Sequence, residues 1–203
     1  SNLPADQDRN LWIGWMSNWD YAQVVPTKTW RSATTLPREI SLFDVDGTLL
    51  LKSTPARELE KLRKTTYSIS KTESLLPSSA VEILADVTSD EAFSLTLSNE
   101  LGEEITVSKE MGLVTVDRRK AGKAIFNRDF AAAHSAPMSW KAKSVRIFLD
   151  ASSIEVFVND GELVLTSLLF PTSPWKKIEL IEGLDEVELL DLQESLKPSL
   201  EKK

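Results

Sequence analysis

Two carboxylates in Phe43-Asp44-Val45-Asp46-Gly47-Thr48 are the first candidates for chemistry in this sequence. Paired acids of this kind offer hard oxygen ligands for a cation such as Mg²⁺, or a nucleophile with a proton carrier beside it. His134 is the only histidine, so no histidine metal cluster is available and any Ser-His-Asp triad would run through it. It sits in Ala131-Ala132-Ala133-His134-Ser135-Ala136-Pro137, which reads as a small-residue surface loop. Cysteine is absent, which removes thiolate nucleophiles, thiolate metal sites and disulfides together. None of the seven glycines sits in a phosphate-cradling loop. The remaining candidates are aromatic: Trp12, Trp15, Trp19 and Trp30, four of the six tryptophans, fall within the first 30 residues. Such a cluster either packs a core or forms a wall on which a sugar ring stacks.

The elements that would hold these residues are strands. Leu11 to Met16, Trp30 to Thr35 and Glu39 to Phe43 are short and apolar, with Pro37 suiting a bend or an edge. Asp46-Gly47 lies between the apolar runs Ile40–Phe43 and Leu49–Leu51, which predicts a tight hairpin. Ser53 to Lys64 predicts two or three helical turns or an irregular connector, followed by polar residues up to Ser79, and marks a boundary between two units. Nine short strands are expected beyond it: 80–87, 92–98, 104–108, 112–117, 143–150, 153–158, 163–170, 177–182 and 186–192. Phe93-Ser94-Leu95-Thr96-Leu97 alternates as a half-buried strand does, and Asn99–Gly102 and Asn159–Gly161 carry turn chemistry. The expected class is all-β, an antiparallel sandwich.

This context decides the first candidate. As a string, Asp44 to Thr48 resembles the first motif of the haloacid-dehalogenase-like phosphatases. That family needs parallel strands alternating with helices, whereas an antiparallel meander follows here. Asp185 and Asp191 do not supply the family's closing acidic pair, so the hairpin is the preferred reading and the Mg²⁺-dependent phosphatase a remote alternative.

Three stretches together resemble glycoside hydrolase family 32, the levanases, inulinases, invertases and sucrose-6-phosphate hydrolases. They are Gly14 to Glu39, containing Gly14-Trp15-Met16-Ser17-Asn18-Trp19-Asp20; Val114 to Gly122; and Val145 to Pro171, containing Ser153-Ile154-Glu155-Val156-Phe157. The resemblance implies the remnant of the last blade of a five-bladed β-propeller over residues 1–52 and a linker over 53–64. A C-terminal β-sandwich of the concanavalin-like, jelly-roll type would follow over 65–203. It further implies retaining hydrolysis by two carboxylates of the whole protein. The family's catalytic motifs are not matched: Trp15-Met16-Ser17-Asn18 imitates the nucleophile motif with Asn18 at the carboxylate's place and Trp19 where proline belongs. Arg128-Asp129 is followed by Phe130, and without cysteine the Glu-Cys motif cannot occur. No catalytic residue, metal ligand or cofactor is therefore expected. Trp19, with Asn18 and Asp20, would form a substrate-binding wall of the fructose pocket. Asp117, Arg118, Asp150 and Glu155 would serve turns, cross-strand pairs and the seam to the propeller.

Composition bounds the rest. The 203 residues are 41% hydrophobic and 27% charged, an ordinary globular composition. A net charge of -7 argues against nucleic acid as a partner, and no apolar run reaches the roughly 20 residues of a membrane helix. The polar start at Ser1-Asn2 is not read as a signal peptide, and an export signal of the whole protein would be expected upstream of it. The compartment stays open, with export from a bacterial cell the first expectation and the cytoplasm the alternative. The expected partners are the N-terminal propeller of the same protein and, through it, fructan or sucrose. Self-association through the orphaned blade is a further expectation. The expected role is structural, and the alternative is a fructan-binding module using Trp140 and Trp175 as its platform.

Overall fold

The alternation of Phe93, Leu95 and Leu97 with Ser94, Thr96 and Ser98 becomes a strand whose apolar side is fully buried. The computed structural model describes residues 9–69, 72–89 and 91–193. In chain order, β1 (Leu11–Trp12), β2 (Arg38–Val45) and β3 (Thr48–Pro55) form a three-stranded sheet. A 3-10 turn, Arg57–Leu62, leads into β4 (Arg63–Ile69), β5 (Glu73–Leu75), β6 (Val81–Val87), β7 (Phe93–Ser98), β8 (Glu104–Glu110) and β9 (Leu113–Asp117). There follow β10 (Ala133–Pro137), β11 (Ser144–Asp150), β12 (Ser153–Val158), β13 (Leu163–Leu168), β14 (Lys177–Glu182) and β15 (Leu184–Leu192).

Two six-stranded antiparallel sheets, ordered β10-β9-β8-β7-β14-β5 and β13-β12-β11-β6-β15-β4, make the sandwich. Their facing sides, including Ile105, Val107, Val114 and Val116 on one and Ile83, Ile147, Ile154 and Val156 on the other, merge into a single core. Each such side chain contributes about 1.5–3 kcal/mol of burial free energy. β12 departs from alternation because it is buried on both faces: Ile154, Val156 and Val158 face the core, while Glu155 and Phe157 face the three-stranded sheet.

That second interface is polar at its centre. The Glu155 carboxylate accepts from the Leu36 N–H at 2.7 Å and pairs with the Arg38 guanidinium, which also donates to Thr166 Oγ1 at 2.7 Å. Arg38 lies 5.1 Å over the Phe157 ring, and both members of the pair are buried. Two further bonds join the units beside it: Ser53 N–H donates to Gly161 O at 2.9 Å, and the Thr54 hydroxyl donates to Asp160 O at 2.9 Å. Leu42, Leu49 and Leu51, which the β2–β3 register places on the face opposite Phe43 and Thr54, are exposed.

Several expectations are corrected. Residues 63–69 and 73–75 are strands that the nine expected ones do not include, and His134 lies on β10 rather than in a loop, opposite Val116. β4, β5 and β10 sit at sheet edges, where a strand needs a hydrogen-bonding neighbour but no buried face, so alternation is not required of them. Residues 30–35 form no regular strand; Thr34 makes an isolated bridge to Trp15, with Met16 N–H donating to Ala33 O and Thr35 N–H to Gly14 O, each at 2.9 Å. Lys64 already belongs to β4, and the 3-10 turn is the only helical turn between β3 and β4.

The surface carboxylates make stability sensitive to acid. The Arg9 guanidinium holds Glu58 down at about 2 from an ordinary 4.5. Hydrogen bonds from Arg119 lower Asp117 from 3.8, and those from Lys176 lower Glu100 from 4.5. Folded values below unfolded ones mean stability that is complete above the unfolded value and lost as pH falls through the folded one. The urea midpoint should therefore be flat above about pH 5 and fall steadily toward about pH 2, less steeply in about 1 M salt. An unchanged midpoint across that window would contradict these pairs.

Candidate functional site

The tryptophans expected to make a wall stand on a turn that the sequence builds locally. Asn18 O accepts from the N–H groups of Tyr21 at 3.2 Å and Ala22 at 2.8 Å, while Asn18 Oδ1 accepts from Asp20 N–H at 2.9 Å. This side-chain-closed turn is the kind asparagine favours. It lifts Trp19 to the tip, 79% exposed, with its ring 5.0 Å from that of Trp15. Trp15 is steadied by donation from its Nε1 to Ser32 Oγ at 3.3 Å, and Trp12 Nε1 donates to Ser53 Oγ at 3.3 Å. Trp12, Trp15 and Trp19 are thus not a core in this chain; of the four, only Trp30 is half-buried, 6.2 Å from Phe170. The Asp20 carboxylate has no partner among the described residues.

The sandwich supports this corner from below. Met16 and Val25 pack into a second apolar cluster with Phe130, Leu168 and Phe170. Tyr21 meets Phe130 edge-on at 5.2 Å, and Arg118 lies over the Phe130 ring at 3.9 Å while donating to Phe130 O and Leu168 O. Asn127 Nδ2 reaches Asp20 O at 3.2 Å. Arg118 was legible as a seam residue, but Phe126, Asn127 and Phe130 were not. They lie in a loop without strand periodicity, and a hint was available only in the density of phenylalanines between 126 and 130.

The other flagged residues are dispersed. Asp46 (φ 50°) and Gly47 (φ 82°) form the two-residue hairpin turn, and Asp44 Oδ1 accepts from Gly47 N–H at 3.0 Å, so the pair does conformational work. Asp117 closes a turn onto Arg119, and Asp150 Oδ1 accepts from Ala151 N–H. Desolvation and nearby Arg118 lower the His134 pKa. Trp175 is 2% exposed and belongs to the core, so it cannot serve as a platform. Trp140 is half-buried against Phe43, their rings 5.7 Å apart. Among the described residues no three His, Cys, Asp or Glu side chains are grouped to hold a metal ion.

What this arrangement offers chemically is an exposed aromatic ledge with an amide and a carboxylate beside it. Comparison with known proteins agrees in fold and family. The family model described as "Glycosyl hydrolases family 32 C terminal" matches residues 56–194, and that for the "Glycosyl hydrolases family 32 N-terminal domain" matches residues 2–53. A levanase of Bacillus subtilis (strain 168) is 36% identical over 200 residues, covering 89% of this chain and 29% of the levanase. An extracellular exo-inulinase of Aspergillus niger is 30% identical over 180 residues, covering 79% of this chain and 34% of the inulinase. This chain therefore spans only about a third of the length of these two relatives. Among solved structures, exo-inulinase from Aspergillus awamori superposes with a TM-score of 0.73 at 23% identity, over 89% of this chain and 39% of that one. Sucrose-6-phosphate hydrolase from Lactobacillus gasseri gives 0.73 at 22%, over 91% and 39%. In that architecture the three-stranded sheet is a propeller remnant and the twelve remaining strands are the sandwich. With a family model matched across the whole sandwich and a second across the sheet that precedes it, the chain belongs to glycosyl hydrolase family 32.

Proposed function

We propose that this chain is the bracing part of a fructoside hydrolase acting on levan, inulin or sucrose, and that it performs no hydrolysis by itself. On this reading residues 1–52 complete the propeller, 53–64 connect, and 65–203 form a sandwich that holds the last blade in place. The observation that carries it is the seam, where a buried Arg38–Glu155 pair and a backbone join at Gly161 fasten the three-stranded sheet to the sandwich. The exposed Leu42, Leu49 and Leu51 support it too, since contiguous apolar surface of this kind calls for a partner, here the rest of the propeller.

The retaining reaction needs one carboxylate to attack the anomeric carbon and a second to protonate the leaving oxygen and then activate water. Asn18 cannot be that nucleophile. An amide carries no negative charge, and its oxygen already accepts from Asp20 N–H. The corner's share is instead to bind: Trp19 would offer its face to a fructosyl ring, with Asn18 and Asp20 hydrogen-bonding its hydroxyls.

The test is release of fructose from sucrose, inulin and levan by the purified chain. None is expected. Sustained turnover that follows the protein through a final purification step would overturn the bracing role.

A further inference from the structure

The hairpin β2–β3 leans on the sandwich and leaves a groove of about 290 Å³ between them. Its aromatic wall is the pair Phe43 and Trp140, tilted 60° to one another. The wall is held by a hydrogen-bonded floor. Trp140 Nε1 donates to Glu162 Oε2 at 2.8 Å, Asn159 Nδ2 donates to the same oxygen at 2.7 Å, and Asn159 Oδ1 accepts from Lys143 N–H at 2.7 Å. The floor is thus satisfied internally and set in place before any ligand arrives, so little ordering remains to oppose binding. The rim differs. The Asp46 carboxylate and the Lys143 ammonium line the groove without a partner among the described residues.

We infer that this groove between the blade hairpin and the sandwich is a saccharide subsite, separate from the Trp15–Trp19 corner, that takes a short stretch of a neutral oligosaccharide. The charge pattern selects the ligand. A rim bearing an acid and an amine opposes ions of either sign, yet both groups hydrogen-bond hydroxyls strongly. The aromatic wall supplies the apolar contact that a sugar ring's C–H face takes. The volume lies just below the about 300–1,000 Å³ usual for small-molecule sites, which fits part of a chain and not a polymer's whole length. A larger groove of about 440 Å³ on the sandwich is less suitable, because its charges already pair, Asp117 with Arg119 and Glu104 with Lys120, and no aromatic lines it. That the oligosaccharide is a fructan rests on the function proposed above; that the groove binds a sugar does not. Since its walls come from both units, an occupant would also tie the blade to the sandwich and raise the stability of both.

Calorimetric titration of the whole chain with inulin-type and levan-type oligosaccharides tests this, with maltooligosaccharides as the comparison. Saturable heat is expected with the fructans. It should survive Trp19→Ala, weaken several-fold in Phe43→Leu, and weaken roughly tenfold when Asp46→Asn and Lys143→Met are combined. These rim residues are exposed or half-buried, and asparagine tolerates the positive φ of residue 46, so the fold is not at risk. Absence of heat at millimolar sugar overturns the inference, as does binding lost in Trp19→Ala and untouched by the rim variants. Equal binding of maltooligosaccharides with the same rim dependence supports the groove and overturns its assignment to fructan. The hydrolysis assay stands apart from every one of these outcomes.

Discussion

Replacing Glu155 with alanine is expected to destabilise the chain by about 3–5 kcal/mol, because Arg38 is then left charged, buried and unpaired. Both side chains are almost inaccessible, Arg38 at 6% and Glu155 at 2%. The carboxylate also receives the Leu36 N–H, so its removal strands a backbone donor as well. Arg38 keeps Thr166 and the face of Phe157, and neither neutralises a full charge. The pair as a whole is a different matter, since desolvating two charges cancels much of their attraction. The double variant Arg38→Met/Glu155→Leu should therefore recover most of the loss, to within about 1–2 kcal/mol of the parent sequence. Urea unfolding followed by tryptophan fluorescence measures all of these. A Glu155→Ala loss below about 1 kcal/mol would mean that water reaches the pair in solution, and the seam would then not be the fastening described.

The second large effect is expected at Gly161, through backbone rather than charge. Its φ is +102°, and a Cβ there would stand 2.5 Å from the Ser53 carbonyl carbon and 2.9 Å from Thr54 N, on the strand that ends the three-stranded sheet. Gly161→Ala must push β3 off the sandwich, breaking the Ser53 N–H to Gly161 O bond, at a cost of about 2–4 kcal/mol from strain and overlap together. Gly102→Ala is the control. Its φ of +74° carries the same handedness penalty, but nothing lies within 4 Å, so only about 1–2 kcal/mol is expected. Amide hydrogen exchange should locate the damage. Gly161→Ala is expected to raise exchange in β2 and β3 while the core strands β7, β8, β11 and β12 keep their protection, whereas uniform loss of protection would place Gly161 in the sandwich's own folding unit.

Both positions look unremarkable along the chain. Asn159-Asp160-Gly161 reads as a turn and is one, with Asn159 and Asp160 also at positive φ, but nothing local reveals that its glycine lies against β3. Glu155 alternates with Ile154 and Val156 in a way that suggests a solvent-facing acid; its partner Arg38 is 117 residues away. The exposed corner makes the same point in reverse. Trp15 and Trp19 have the residue type of a core, and it is the turn closed by Asn18 that carries Trp19 outward.

The sequence by itself determined the inner-face strands of the sandwich, the Asp46-Gly47 hairpin, the turn at Asn99–Gly102 and the family. It did so because side-chain period and turn dihedrals depend on consecutive residues. Only the tertiary structure decided that residues 63–69, 73–75 and 133–137 are strands, since edge strands take their order from a neighbour's backbone and need no apolar face. It also decided that Phe126 and Phe130 lie beneath the Trp19 corner, that Trp175 is core, and that Phe43 meets Trp140 across a groove. Each of these joins residues far apart in the chain, where the partner is selected by how the sheets pack and no local pattern constrains it.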